Sequence, residues 1–196
     1  MVDEDEIEDL RNVVREEVAR GESDFDEVVE AALEYLDAED DEELRAATRE
    51  VAIAEFAAHA QAQRSWGDGP LAPDRLRAAF EALGSGGIVA RADFTCCQTC
   101  GFSEIGDEVP EGETRRGFTF CHSQDIDRAL HGEGVYLAFG SFSEDVAPVE
   151  VADEVVEVLT RYGFEPQWGG DVRTRIHVPM SWQVRRDGDL AAYPKA

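Results

Sequence analysis

Hydrophobic periodicity changes character once along this chain, at the glycine-rich run Gly84-Ser85-Gly86-Gly87, and that change limits the folds open to it. Before the run, apolar residues recur every three to four positions. Ile7, Leu10, Val14 and Val18 mark one helix. Phe25, Val28, Val29, Ala32, Leu33 and Leu36 mark a second, behind a Ser23 placed to cap it. Leu44, Ala47, Val51, Ala54 and Ala58 mark a third. After a break at residues 65–70, Pro73 opens a fourth helix with Leu76, Phe80 and Leu83 as its stripe, and Gly84 ends it.

Beyond the glycines the pattern alternates. Residues 88–94, 117–122 and 135–139 read as strands, 149–161 as a helix, and 165–168 and 173–184 as two closing strands. The expected fold is α+β: a helical N-terminal region, then a mixed β-sheet of about five strands with flanking helices. Its organisation is an acidic helical region over 1–66 and an α+β domain over 71–196, or one continuous domain.

Charge narrows the partners. Forty-four acids face 18 bases, for a net charge of −26, and residues 1–50 alone carry −16. Such a surface repels nucleic-acid phosphates and anionic lipids, so neither nucleic acid nor a membrane is expected as a partner. A basic protein partner could use the acidic helices; a solvated helix face accounts for the same acids. Lys195 is the single lysine against 17 arginines, a skew that fits a salt-adapted proteome or a high-GC genome. No apolar run approaches the roughly 18 residues of a membrane helix. The acidic start, Met-Val-Asp-Glu, is unlike a secretory leader, so a soluble cytoplasmic protein is expected.

Four cysteines in a reducing compartment do not suggest a disulfide framework, and three of them lie within five residues. Strand 88–94 runs into Cys96, Cys97 and Cys100, where a short helix begins. Strand 117–122 runs into His122, then Ser123, Gln124 and Asp125, where Ser123 can cap another helix. The 22 residues between Phe94 and Gly117 suffice for a crossover, which would make the strands parallel neighbours with both motifs at their carboxyl ends.

Three chemistries fit there. Cys97-x-x-Cys100 has the spacing of a zinc half-site, which Cys96 and His122 could complete; Cys121, alternating with His122, would point the other way. Cys97 or Cys100 could instead be a reactive thiolate, with His122 as base and Asp125 orienting it. The cysteines could also simply fill space under a strand-to-helix turn. Elsewhere, Arg175-Ile176-His177 and Trp168-Gly169-Gly170 read as cleft wall or as core and hairpin. Trp182, Arg185 and Arg186 form the local basic spot of an acidic chain. They read as an anion site or as a sheet-edge arginine pair set against the acidic helices. His59 and His131 stand alone.

Taken together, the 73–83 helix, residues 87–91, and the string CCQTCG at 96–101 resemble an uncharacterised family, domain-of-unknown-function family 6891. The resemblance continues through residues 117–120, through His122, Gln124 and Asp125, and through 135–140, 175–178 and Trp182. It spans most of 59–186 and implies no activity. It points to Cys96, Cys97, Cys100, His122, Gln124 and Asp125, and it implies an aromatic or apolar residue at 121, so Cys121 stands as a local variant.

Overall fold

The computed structural model describes residues 4–195; the acidic start read above as unlike a leader lies partly outside them, at Met1, Val2 and Asp3. The chain divides into two compact units. One comprises residues 1–69 with 183–196, the other residues 70–182.

The first unit is helical. Its helices are α1 (Glu4–Arg20), α2 (Phe25–Tyr35) and α3 (Glu42–Gln63). Their apolar stripes meet in one core around Leu10, Val14, Val28, Leu33, Ala52 and Phe56, all buried. The cap of α2 falls one residue later than expected, on Asp24. Its carboxylate accepts the N–H groups of Asp26 and Glu27 at 3.0 Å, while Glu27 reaches back to the Asp24 N–H at 2.8 Å. A charged acceptor next to the positive helix end outcompetes the Ser23 hydroxyl. The C-terminal segment completes this unit. Val184 packs so near Gly21 that a Cβ there would stand 2.6 Å from its methyl, and Tyr193 lies 5.8 Å from Phe56, ring centre to ring centre.

The second unit opens with α4 (Ala72–Ser85) and carries a four-stranded mixed sheet. Strands β1 (Ile88–Arg91) and β2 (Gly117–Phe120) are parallel neighbours, joined by a crossover containing α5 (Gln98–Glu104). Then come α6 (Ser123–Leu130), β3 (Val135–Ser141), α7 (Pro148–Arg161) and β4 (Ile176–Val178), with β3 antiparallel to both β2 and β4. Expecting five strands is one too many: residues 165–168 supply only a single bridge, Gln167 to His177. Pro166 has no N–H to extend a ladder there, and Pro179 stops β4 after three residues.

The two sheet faces differ. Gly117 lies against Val151 of α7, on the face that α4 and α7 cover. Val89, Phe118, Phe120 and Ala138 form a core on the opposite face with Phe94 and Ile105, covered by the short crossover. There Gly101 of α5 rests on the Phe120 ring so closely that any Cβ would overlap it. That contact explains a glycine in CCQTCG at a helical backbone angle, where ordinary propensity disfavours it.

Candidate metal centre

The parallel pairing of β1 and β2 puts both motifs at one edge of the sheet, at the carboxyl ends of adjacent strands. The pairing continues past the strands. The Cys121 N–H donates to Arg91 O at 3.1 Å, and the Phe94 N–H donates to Cys121 O at 2.9 Å. Ser123 donates to Thr95 O through both its N–H (3.1 Å) and its hydroxyl (2.8 Å). These bonds hold a strained loop: Asp93 and Thr95 adopt positive φ, 49° and 59°. For β-branched Thr95 that is an unfavourable conformation, kept by the bonds to Ser123 and by its own hydroxyl donating to Cys97 O at 3.2 Å.

Beyond this turn the three thiols converge. The sulfurs of Cys96, Cys97 and Cys100 all lie within 4.8 Å of one another, with Cys96 Sγ and Cys100 Sγ 3.6 Å apart. Cys97 is the residue just before the first turn of α5, and Cys100 sits in that turn. Cys96 is exposed and the other two are half-buried. The thiols are not equivalent. The Cys100 backbone N–H, then the Cys100 and Cys96 side chains, draw the Cys97 thiol below its ordinary range. Cys100, sharing hydrogen bonds with both neighbours, is pushed up to about 11. The first negative charge in the group thus falls to Cys97 and a second is disfavoured, unless a cation shares the sulfurs.

Cys121 lies apart from this cluster, fully buried, and burial pushes its thiol up to about 12. It is a core residue that stays protonated. His122 is also outside the 4.8 Å group. Its ring is 4 % exposed, and Nε2 stands 3.1 Å from both Asp125 Oδ2 and Arg175 Nη1. Asp125, fully buried, accepts further bonds from Arg175 at 2.8 Å and from Arg128 at 2.9 Å. Asp125 therefore does orient His122, but the carboxylate is already neutralised by two guanidiniums. Burial holds the imidazole pKa below its usual value, so the ring is neutral near pH 7. His122 makes no hydrogen bond to a thiol, and its buried Nδ1 has no partner among the described residues. Gln124 contributes its backbone carbonyl to Arg128, at 3.3 Å.

Sequence reasoning did not tie Arg128, Arg175 and Tyr136 to this network. Arg175 packs over the Tyr136 ring at 5.1 Å, and the His177 ring stacks on the same tyrosine with ring centres 4.5 Å apart. An arginine one residue ahead of a short strand carries no local signal of which carboxylate it will meet. Trp168, half-buried, packs edge-on against Phe139 and donates its N–H to Asp171 O at 3.2 Å.

A family model described as a domain of unknown function, DUF6891, matches residues 3–186. The chain belongs to this family. DUF6891 therefore takes in both units, the acidic helices included, and its matched region ends on Arg186. No curated protein and no solved structure matches the chain. Among the described residues no helix is long and apolar enough to cross a membrane.

Proposed function

We propose that the protein is a thiolate metal-binding protein, holding one thiophilic ion, zinc first, on Cys96, Cys97 and Cys100. The observation that carries this reading is the convergence of three sulfurs within 4.8 Å, one pair at 3.6 Å. Metal–sulfur bonds of about 2.3 Å in a tetrahedron set neighbouring sulfurs about 3.8 Å apart, so small side-chain adjustments would close the site. Sulfur donors select zinc or copper(I) over magnesium or calcium. The ion would cross-link the strained loop after β1 to the first turn of α5, and would release the thiol protons on binding.

Three thiolates leave a fourth position. His122 is the candidate protein donor, through Nδ1; an external ligand or water is the other, favoured by the hold of Asp125 and Arg175 on the histidine ring. The role is structural rather than catalytic, in a reducing cytoplasmic setting, with no nucleic-acid partner for a chain of charge −26. A second reading, thiol redox chemistry, draws on the lowered thiol of Cys97 beside Cys100.

Elemental analysis of protein purified without chelator tests the first reading. About one zinc per chain is expected, with loss of the metal and a lower Tm in Cys100→Ser. Absence of metal, together with no uptake of zinc, cadmium or copper(I) on titration, overturns it. In that event selective alkylation of Cys97 at pH 7 would support redox chemistry, and uniformly slow alkylation would leave burial alone. His122→Ala separates the two choices of fourth ligand: metal content holds if the donor is external and falls if it is Nδ1.

A further inference from the structure

The helical unit contains a cavity of about 450 Å³ between the end of α3 and the returning C-terminal segment. We propose that this cavity binds a small organic anion built on a flat ring, a phosphate or carboxylate joined to an aromatic or heteroaromatic system. Its volume falls in the range of ordinary small-molecule sites. Three arginines, Arg64, Arg185 and Arg186, line it together with Trp66 and His59.

Charge sets this place apart. On the same three helices, Arg11 and Arg15 pair with Glu55, Arg45 with Glu30, and Arg49 with Asp26. Arg64 instead donates to the neutral Gln61 side chain at 3.1 Å. Arg186 is only 3 % exposed and donates to three carbonyls, those of Val18 (2.9 Å), Leu190 (2.6 Å) and Ser23. Among the described residues neither Arg64 nor Arg186 has a carboxylate at ion-pair distance. A guanidinium has five N–H groups, so Arg186 keeps two beyond those the carbonyls accept. Asp24 acts on this buried cation only from beyond ion-pair distance, so burial still disfavours its charge, and an anion entering the cavity would relieve that cost.

The surroundings suit the same ligand. The carbonyls ending α3 are turned away: Ala62 O accepts the Ser65 N–H and hydroxyl, at 2.9 and 2.7 Å, and Gln63 O accepts the Trp66 N–H at 3.1 Å. The negative end of the helix is thereby muted where the arginines gather. Arg186 is itself fixed by stacking over Phe56 at 4.5 Å and by Gln63, which bonds both its N–H and its carbonyl. His59 donates to or accepts nothing acidic; its Nε2 meets Val184 O at 3.0 Å and its ring meets Trp66 edge-on. Trp66 offers a face on which a flat ring can stack, and a guanidinium can add to that stacking. Asp68, also on the wall, can accept from a hydroxyl or amino group of the ligand.

Calorimetry on the full chain tests this with four probes: AMP, indole-3-acetate, adenosine and inorganic phosphate. AMP or indole-3-acetate is expected to bind with Kd below about 1 mM and at least about tenfold tighter than adenosine or phosphate. Which of the two binds tells a phosphorylated ligand from a carboxylate. Binding should quench Trp66 emission, a signal lost in Trp66→Phe. Arg64→Gln, on an exposed side chain, should weaken binding about tenfold with the far-UV spectrum unchanged. No saturable binding by either ringed anion, equal binding by phosphate alone, or indifference to both Arg64→Gln and Trp66→Phe would overturn the proposal.

Discussion

Arg175 in the sheet unit and Arg186 in the helical unit are both largely withdrawn from solvent, yet they are satisfied in opposite ways. Arg175 meets a fully buried carboxylate, Asp125, with Arg128 and His122 completing the group. Arg186 donates to carbonyls and lies over an aromatic face, with the Asp24 carboxylate acting on it only from beyond ion-pair distance. The first arrangement is an ionic cluster in which two guanidiniums share one buried carboxylate, and it fixes the His122 corner of the sheet edge. The second sets a guanidinium beside a cavity with no carboxylate at ion-pair distance among the described residues. In a protein so rich in acids, carbonyls rather than a paired carboxylate receive Arg186, and that leaves room for an anion in the cavity.

The sharpest way to break this comparison is to replace each arginine by methionine. Arg175→Met strands the Asp125 carboxylate with half-exposed Arg128 alone and should cost about 3–5 kcal/mol in urea denaturation. Arg186→Met leaves neutral carbonyls behind and should cost about 1–3 kcal/mol. Equal losses would show that the two networks are energetically alike. Next in size are the close contacts. Gly101→Ala, forced against Phe120, should cost about 2 kcal/mol and lower metal content, because α5 carries Cys100 away with it. Gly21→Ala, against Val184 and at φ +78°, should cost a similar amount in the helical unit with metal content intact.

A smaller effect comes from pH. Burial lowers the pKa of both His122 and His59 below the ordinary 6.5. The unfolded chain then takes up these protons first, so stability is fully present above about 6.5 and is lost as pH falls from there through the folded values. Urea midpoints should be flat from pH 8 to 7 and decline below, less steeply in His122→Gln and in His59→Gln. A midpoint unchanged down to pH 5.5 would mean that neither ring is held neutral. Smallest of all, Arg49→Gln, which frees exposed Asp26, should change stability by no more than about 0.5 kcal/mol.

How much of this could be read from sequence depends on how local the signal is. The four helices before the glycine run, the parallel neighbours β1 and β2, and the convergence of Cys96, Cys97 and Cys100 follow from periodicity, from a crossover of sufficient length and from i, i+3 and i+4 spacing. The fifth strand was miscounted because alternation alone does not register that Pro166 and Pro179 cannot join a ladder. His122 and Asp125 were legible as partners three residues apart at a helix start. Arg175, some fifty positions away, was not, since nothing near it in sequence names the carboxylate it will meet. The Arg185–Arg186 spot was legible as basic and as facing the acidic helices. That carbonyls rather than acids would receive Arg186 depends on where Val18, Ser23 and Leu190 lie once folded.

The division of the chain has a consequence for its synthesis. Residues 70–182 are one uninterrupted stretch, whereas the helical unit is assembled from both ends of the chain. Domains usually mature in the order they leave the ribosome. Here α1 to α3 emerge before the sheet unit but must wait for Val184, Arg186 and Tyr193, which are translated after it, while the sheet unit can close before them. Of the two units, the one begun earlier is therefore finished later. A stop codon shortly after Trp182 would spare the region built later and leave the earlier one with an open core.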